Sequence, residues 1–392
     1  MSERNTAFDE VINRVGTKSL KYDFAVQRGM PKDIFPLWVA DMDFKTSSYV
    51  EDALVKQAQH AIYGYTEVDD EYFNSVQRWI KNHYDWDVKE EWFHKTPGVV
   101  FAIANAVRAF TEKGDGVLIQ QPVYYPFSGV IRDNERRIIS SDLINDGEGY
   151  YSIDFDDFEK KIIENKVKLF ILCNPHNPVG RVWDIDELKK IGDICKKHNV
   201  IVFSDEIHAD FVWSKKHITF AKADPSFSDF VVTATSPSKT FNIAGLQVSN
   251  IFIPNKDIYD KFHKEYDASG YSQLNSAGII AAQAAYDFGE EWYEAVKKYI
   301  SANLDFTEEY IKENLPGIKF RKPEGTYLVW LDFNGLGLTD KEIDNLIINK
   351  AGLWLDSGAI FGKTGRGFQR INVACPKEVL KNALDRIANA LK

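Results

Sequence analysis

Four short apolar runs in the middle of the chain are each followed by side chains that can do chemistry. After 117–119 come Gln120-Gln121-Pro122-Val123-Tyr124-Tyr125, and after 168–172 come Asn174-Pro175-His176-Asn177. After 200–203 come Ser204-Asp205-Glu206-Ile207-His208, and after 230–234 come Ser236-Pro237-Ser238-Lys239. An aromatic ring, an amide, a carboxylate and an amine therefore follow four successive runs in that order.

Those four types form a set. Pyridoxal 5′-phosphate (PLP) needs a lysine for its aldehyde and a carboxylate to keep its pyridine nitrogen protonated. Its flat ring wants an aromatic face, and its phosphate wants free backbone N–H groups at a helix start. Pro97-Gly98-Val99-Val100, opening the apolar stretch 101–110, offers such a start. Singly, each residue has an ordinary reading: Tyr124 as packing, Asn177 as a turn, Lys239 as surface charge, Ser236 and Ser238 as caps, His208 as a structural histidine. Asp205-Glu206 after a strand also suits a metal–phosphate site, but no GxxxxGK[ST] loop accompanies it. The joint order favours the cofactor lysine.

The elements that must position these residues are legible as well. The runs named above, with 250–253 as a fifth, read as buried strands, and 186–197 places Leu188, Ile191, Ile194 and Cys195 at helical spacing between two of them. Strand–helix alternation from about 95 to 285 predicts an α/β fold with a mostly parallel sheet covered on both faces, and ligands beyond the carboxyl ends of the strands. After 285 the pattern changes: a long charged helix over 290–314, a strand at 326–331, a helix over 340–350, a strand at 370–373 and a helix from Lys377. This predicts a large domain over 46–285 and a smaller α+β domain made from 1–45 and 286–392.

Composition is globular, with 44% hydrophobic and 27% charged residues in 392. A net charge of −10 argues against nucleic acid or an anionic membrane surface as the main partner. Cys173, Cys195 and Cys375 stand apart, which predicts reduced thiols and neither a disulfide framework nor a metal site. With no apolar segment behind the start and no uncharged run of about 18 residues, a cytoplasmic protein is expected.

From about Trp38 to its last residues the chain resembles the fold-type-I PLP enzymes, the aminotransferase class I/II superfamily. Within it, the likeness is to the MalY/PatB-type cystathionine β-lyases. The motifs that carry it are Leu37-Trp38-Val39-Ala40-Asp41-Met42-Asp43-Phe44, Tyr63-Gly64-Tyr65, Ser204-Asp205-Glu206-Ile207-His208-Ala209-Asp210, Ser236-Pro237-Ser238-Lys239-Thr240-Phe241-Asn242 and Arg370-Ile371-Asn372-Val373-Ala374-Cys375-Pro376. The resemblance implies a seven-stranded sheet in the large domain. It implies that Lys239 binds PLP as a Schiff base and moves protons at the substrate Cα. Asp205 is then expected to pair with the ring nitrogen, Asn177 with the ring 3′-oxygen, and Tyr124 to stack on the ring. The Val99 and Val100 amides and the Ser236 hydroxyl are implied at the phosphate, with Ser238 and His208 completing the cofactor set. Arg370 is implied to clamp the substrate carboxylate, while Trp38 and Ala40 line the substrate side. Such enzymes resemble homodimers with shared active sites, in which Tyr65, with Tyr63 as its rival, reaches the neighbouring phosphate.

Two departures from the common aminotransferase pattern stand out. Gln247 occupies the place of a phosphate-binding arginine, and His208 replaces the usual tyrosine three residues after Asp205. Both fit the C–S lyase subgroup, whose expected chemistry is α,β-elimination of L-cystathionine or related cysteine S-conjugates to thiol, pyruvate and ammonia. An aminotransferase is the alternative, because one lysine serves both reactions. A PLP-bound regulatory protein with little turnover is a further one, although Lys239 and Arg370 are both present.

Overall fold

The computed structural model describes residues 8–392. Its main sheet has seven strands: β1 (Phe93–Thr96), β2 (Gly116–Ile119), β3 (Arg137–Ser140), β4 (Leu169–Cys173), β5 (Ile201–Asp205), β6 (Val231–Thr235) and β7 (Ser249–Phe252). They lie in the order β1-β7-β6-β5-β4-β2-β3, with only β7 antiparallel to its neighbours. The expected mostly parallel α/β sheet is therefore present. Strands β1 and β3 were not legible, since Phe93-His94-Lys95-Thr96 and Arg137-Ile138-Ile139-Ser140 mix polar with apolar residues at the two sheet edges.

Strands β4 and β6 are buried at every residue, as a sheet covered on both faces requires. Leu118, Phe170, Leu172, Val202 and Phe252 pack into one core. The alternate residues Ile119, Leu169, Ile171, Phe203 and Ile251 pack into another with the helix α1 (Val99–Phe110). Helix α1 turns Ala102, Ile103, Ala106, Val107 and Phe110 to the sheet, which is the i, i+3, i+4 stripe of a core-facing helix. Helix α2 (Ile185–Lys197) starts at a capping box in which Glu187 N donates to Asp184 Oδ1 at 3.0 Å and Asp184 N to Glu187 Oε2 at 2.9 Å. A cavity-forming change such as Leu172→Ala in these cores costs roughly 2–5 kcal/mol.

A second, four-stranded antiparallel sheet follows: β8 (Lys319–Phe320), β9 (Leu328–Asp332), β10 (Asp356–Ser357) and β11 (Phe368–Asn372), in the order β8-β9-β11-β10. Its core includes Val296, Ile300 and Leu304 of the helix Glu290–Asn314 and Leu380, Leu384 and Ile387 of the helix Lys377–Ala390. Phe8, Leu37, Met42 and Phe44 join the same core, so the N-terminal segment packs here as well. The helix expected over 340–350 is α-helical over Asp340–Asn345 and widens into a π turn over Leu346–Lys350. Among the described residues no helix is long and apolar enough to cross a membrane.

Candidate active site

β6, β5, β4 and β2 are consecutive neighbours in the sheet, so their carboxyl ends reach one rim side by side. Backbone bonds past the strand ends fix this rim. Tyr124 N donates to Asn177 O at 3.0 Å, Asn174 N to Asp205 O at 2.9 Å and Glu206 N to Ala234 O at 2.9 Å. Tyr124, Asn177, Asp205 and Lys239 thereby line one cavity of about 320 Å³. Ala40, Val99, Val100, His208 and Ser238 line the same cavity, as does Gln247.

Lys239 sits on a four-residue helix, α3 (Pro237–Thr240), which Ser236 caps. The Ser236 hydroxyl accepts from Ser238 N at 3.1 Å and donates to Val248 O at 2.7 Å. Its hydroxyl is thus engaged with backbone, and Ser238 is the serine on the cavity wall. Lys239 Nζ donates to the Ala40 carbonyl at 2.7 Å. Burial pushes this amine down to about 8, with Asp41 pulling it up and Arg370 adding to the depression. The next residue, Thr240, donates through Oγ1 to the buried Asp210, which also accepts from Trp79 Nε1 at 3.2 Å and from the Tyr84 hydroxyl. This anchor ties the lysine's helix to the segment following Asp205. Asp210 closes the run Ser204-Asp205-Glu206-Ile207-His208-Ala209-Asp210, but nothing in the sequence assigns it a partner.

Asp205 ends β5 and is 5% exposed. Burial pushes its carboxyl up to about 7, opposed by the Ile207 N–H at 3.1 Å and by Lys239. His208 is buried, and desolvation together with the Lys239 and Arg370 charges holds its imidazole neutral. Its Nδ1 has no hydrogen-bond partner among the described residues.

At the other end of the cavity, α1 begins after Gly98 without a side-chain cap, leaving its first N–H groups free for an anion. Gly98 holds φ at 148°, a conformation that a residue with a Cβ rarely adopts. The donor set fits PLP: an amine, a buried carboxylate, an amide, an aromatic ring and an uncapped helix start surround one space.

Arg370, on β11, is 2% exposed. Its Nη1 donates to Asn177 Oδ1 at 3.0 Å, and its Nη2 to Trp38 O at 2.8 Å and to Asp356 Oδ2. Nε has no partner among the described residues. Arg370 therefore joins the small sheet to the cavity through Asn177. Asp356 escaped the sequence reading because its pairing crosses from β10 to β11. Trp38 contributes its carbonyl here, while its ring stacks on Trp354 at 4.4 Å. Tyr65 is 97% exposed and Tyr63 68% exposed, so neither is brought to the cavity within this chain. No group of three or more His, Cys, Asp or Glu side chains among the described residues is placed to hold a metal ion.

A family model for aminotransferase class I and II matches residues 32–387. The chain belongs to that family. It is 41% identical over 385 residues to the cystathionine β-lyase PatB of Bacillus subtilis (strain 168), covering 98% of this chain and 99% of the relative. Among solved structures, it is 44% identical to a PLP-bound candidate aminotransferase from Clostridium difficile 630, with a TM-score of 0.96 over 98% of this chain and 99% of that one. It is 37% identical to the PLP-bound C–S lyase from Staphylococcus hominis, with a TM-score of 0.91 over 98% of this chain and 97% of that one. The fold is thus that of the fold-type-I PLP enzymes.

Proposed function

We propose that this chain is a PLP-dependent carbon–sulfur lyase of the cystathionine β-lyase type. One observation carries the reading: Lys239 and Asp205 meet Asn177 and Tyr124 in a single cavity, in a chain 41% identical to a cystathionine β-lyase. The net reaction converts a cysteine S-conjugate and water into a thiol, pyruvate and ammonia.

Lys239 is the residue that would hold the cofactor aldehyde, with Asp205 at the ring nitrogen, Asn177 at the 3′-oxygen and Tyr124 on the ring face. The Val99 and Val100 amides, with Ser238 beside them, would hold the phosphate; Ser236 supports them from behind as the cap of α3. When bound, PLP supplies an electron sink for the pair left at Cα. The Lys239 amine, with its pKa drawn down to about 8, is a base strong enough to take the Cα proton yet free enough of protons to do so near neutrality. Arg370, whose planar guanidinium is held in place by Asn177, Trp38 O and Asp356, orients the substrate carboxylate. Neutral His208 lines the cavity without adding charge. Ala40 and Trp38 border the substrate side, Ala40 through the carbonyl that receives Lys239 Nζ.

Residues 46–285 are proposed as the large domain and 1–45 with 286–392 as the small one, supported by a core on each sheet; Trp330, Phe361 and Phe368 of the small part pack into the large core and Phe211 of the large part into the small one, which joins the two. A homodimer is proposed on the exposed row Ile62, Tyr63 and Tyr65, which a second copy would cover while Tyr65 reaches its phosphate site. The cytoplasm is the proposed location, consistent with three buried free cysteines.

An aminotransferase is the second reading, favoured by the likeness to the Clostridium difficile protein. Assaying pyruvate, ammonia and free thiol from L-cystathionine, beside keto-acid formation with 2-oxoglutarate, separates the two. Thiol release is expected; robust amino transfer without thiol release would replace the lyase by the aminotransferase.

A further inference from the structure

Lys239 is carried by α3, a helix only four residues long. A single helical turn closes few backbone bonds and is marginal by itself, so side chains at its two ends must fix its orientation. At the start, the Ser236 hydroxyl accepts from Ser238 N and donates to Val248 O. At the end stands Thr240, fully buried, whose Oγ1 donates to Asp210 Oδ2.

Asp210 is itself held from outside the cavity. It is 7% exposed, and its carboxylate also accepts from Trp79 Nε1 at 3.2 Å and from the Tyr84 hydroxyl, both on the helix Asp70–Tyr84. Burial, and after it the Asp210 charge, hold the Tyr84 phenol well above its ordinary value, so this hydroxyl is protonated and donates. The Asp210 carbonyl accepts from the Tyr293 hydroxyl at 2.6 Å, on the helix Glu290–Asn314. Two short turns join it to Asp205: Ala209 N donates to Glu206 O and Phe211 N to His208 O, each at 3.0 Å. Asp210 is thus a fixed point five residues after Asp205, and Thr240 ties the lysine's helix to it.

We propose that Thr240 is a positioning residue for the Lys239 amine: its bond to Asp210 sets where Nζ stands relative to Asp205. This rests on the reading of Lys239 as the cofactor lysine, and it holds for elimination and amino transfer alike. A flat ring that meets Lys239 at one side and Asp205 at another needs the two at a fixed separation. A base displaced by about 1 Å from its proton loses on the order of 100-fold in rate. Of the three side chains that donate to the Asp210 carboxylate, only Thr240 adjoins Lys239 in the chain. Tyr84 gives the same carboxylate a bond of the same kind and is not among the residues lining the cofactor cavity.

The test compares Thr240→Val, Thr240→Ser and Tyr84→Phe with the wild-type protein. The holoenzymes are read by kcat and KM for thiol release from L-cystathionine and by the pH midpoint of the near-visible band of lysine-bound PLP. The cofactor-free full chains are read by their urea midpoints. Thr240→Val and Tyr84→Phe each take one donor from Asp210, so both should lower the urea midpoint. Only Thr240→Val should lower kcat, by about tenfold with KM within about twofold, as loss of one hydrogen bond to a charged group implies. Only Thr240→Val should move the midpoint of the band, by about half a pH unit or more. Thr240→Ser keeps the hydroxyl and should restore both. Equal changes of kcat and band in Thr240→Val and Tyr84→Phe would reduce Thr240 to a general stabilising contact and overturn the positioning role. Wild-type kcat and band in Thr240→Val overturn it as well. Should Thr240→Val not be recovered folded, Thr240→Ala is judged by the same outcomes. No thiol from the wild-type protein overturns the lyase reading alone, since the band and keto-acid formation with 2-oxoglutarate still judge Thr240. A wild-type protein without the band overturns both.

Discussion

Arg370 and Asp356 form a buried ion pair across neighbouring strands of the small sheet, with side chains only 3% and 6% exposed. The same Nη2 also donates to the Trp38 carbonyl, so one contact joins β10, β11 and the N-terminal segment. Removing one member of such a pair strands the other charge away from water. Asp356→Ala is expected to lower unfolding free energy by about 3–5 kcal/mol, read by urea denaturation. An unchanged midpoint would show that Arg370 finds its counter-charge elsewhere.

Replacing the lysine tests the centre of the reading. Lys239→Ala should remove the near-visible absorbance of lysine-bound PLP and lower lyase turnover on the order of 10²–10⁴-fold, the usual range for a lost acid–base group. A retained band with retained thiol release would assign both roles to another amine.

Asp205 gives two opposite outcomes in one variant. Its folded pKa of about 7 lies above the usual carboxylate value, so the charged form is what folding disfavours. In the cofactor-free protein, Asp205→Asn should therefore raise the urea midpoint at pH 8, where the carboxylate is ionised. It should leave the midpoint nearly unchanged below pH 4, where the carboxyl is protonated in both states. The holoenzyme should lose activity, because the ring nitrogen loses its charged partner. A stability gain of equal size at both pH values would show that charge is not the cause.

His94 makes stability depend on acid. It is 6% exposed, its Nδ1 donates to the Lys95 carbonyl at 3.0 Å, and its Nε2 accepts from His263 Nδ1 at 3.1 Å. Burial pushes its pKa down to about 4. The unfolded chain takes up a proton near pH 6.5 that the folded chain refuses until about pH 4. Stability should fall as pH drops through that window, by on the order of 3 kcal/mol from this residue. His94→Phe should flatten the slope in a pH series of urea titrations. An equal slope in the variant would move the effect to another group.

Much of this protein was legible before any coordinates. Strands such as Leu169–Cys173 and Val231–Thr235 are continuous apolar runs, because a sheet covered on both faces demands apolar residues on both. The residues after those runs carried the chemistry, and their motifs carried the family. What sequence order alone does not decide is adjacency. Strand β3 lies between β2 and β4 in the chain but on the far edge in space, which puts β2 beside β4 and brings Tyr124 to Asn177. Asp356 with Arg370, and Asp210 with Thr240, join positions 14 and 30 residues apart through pairings no local pattern encodes. Local periodicity reports which face of an element is buried. Which charged groups end up facing one another, and hence how far Lys239 and Asp205 depart from their ordinary pKa values, depends on desolvation and distance, and only the packed fold sets those.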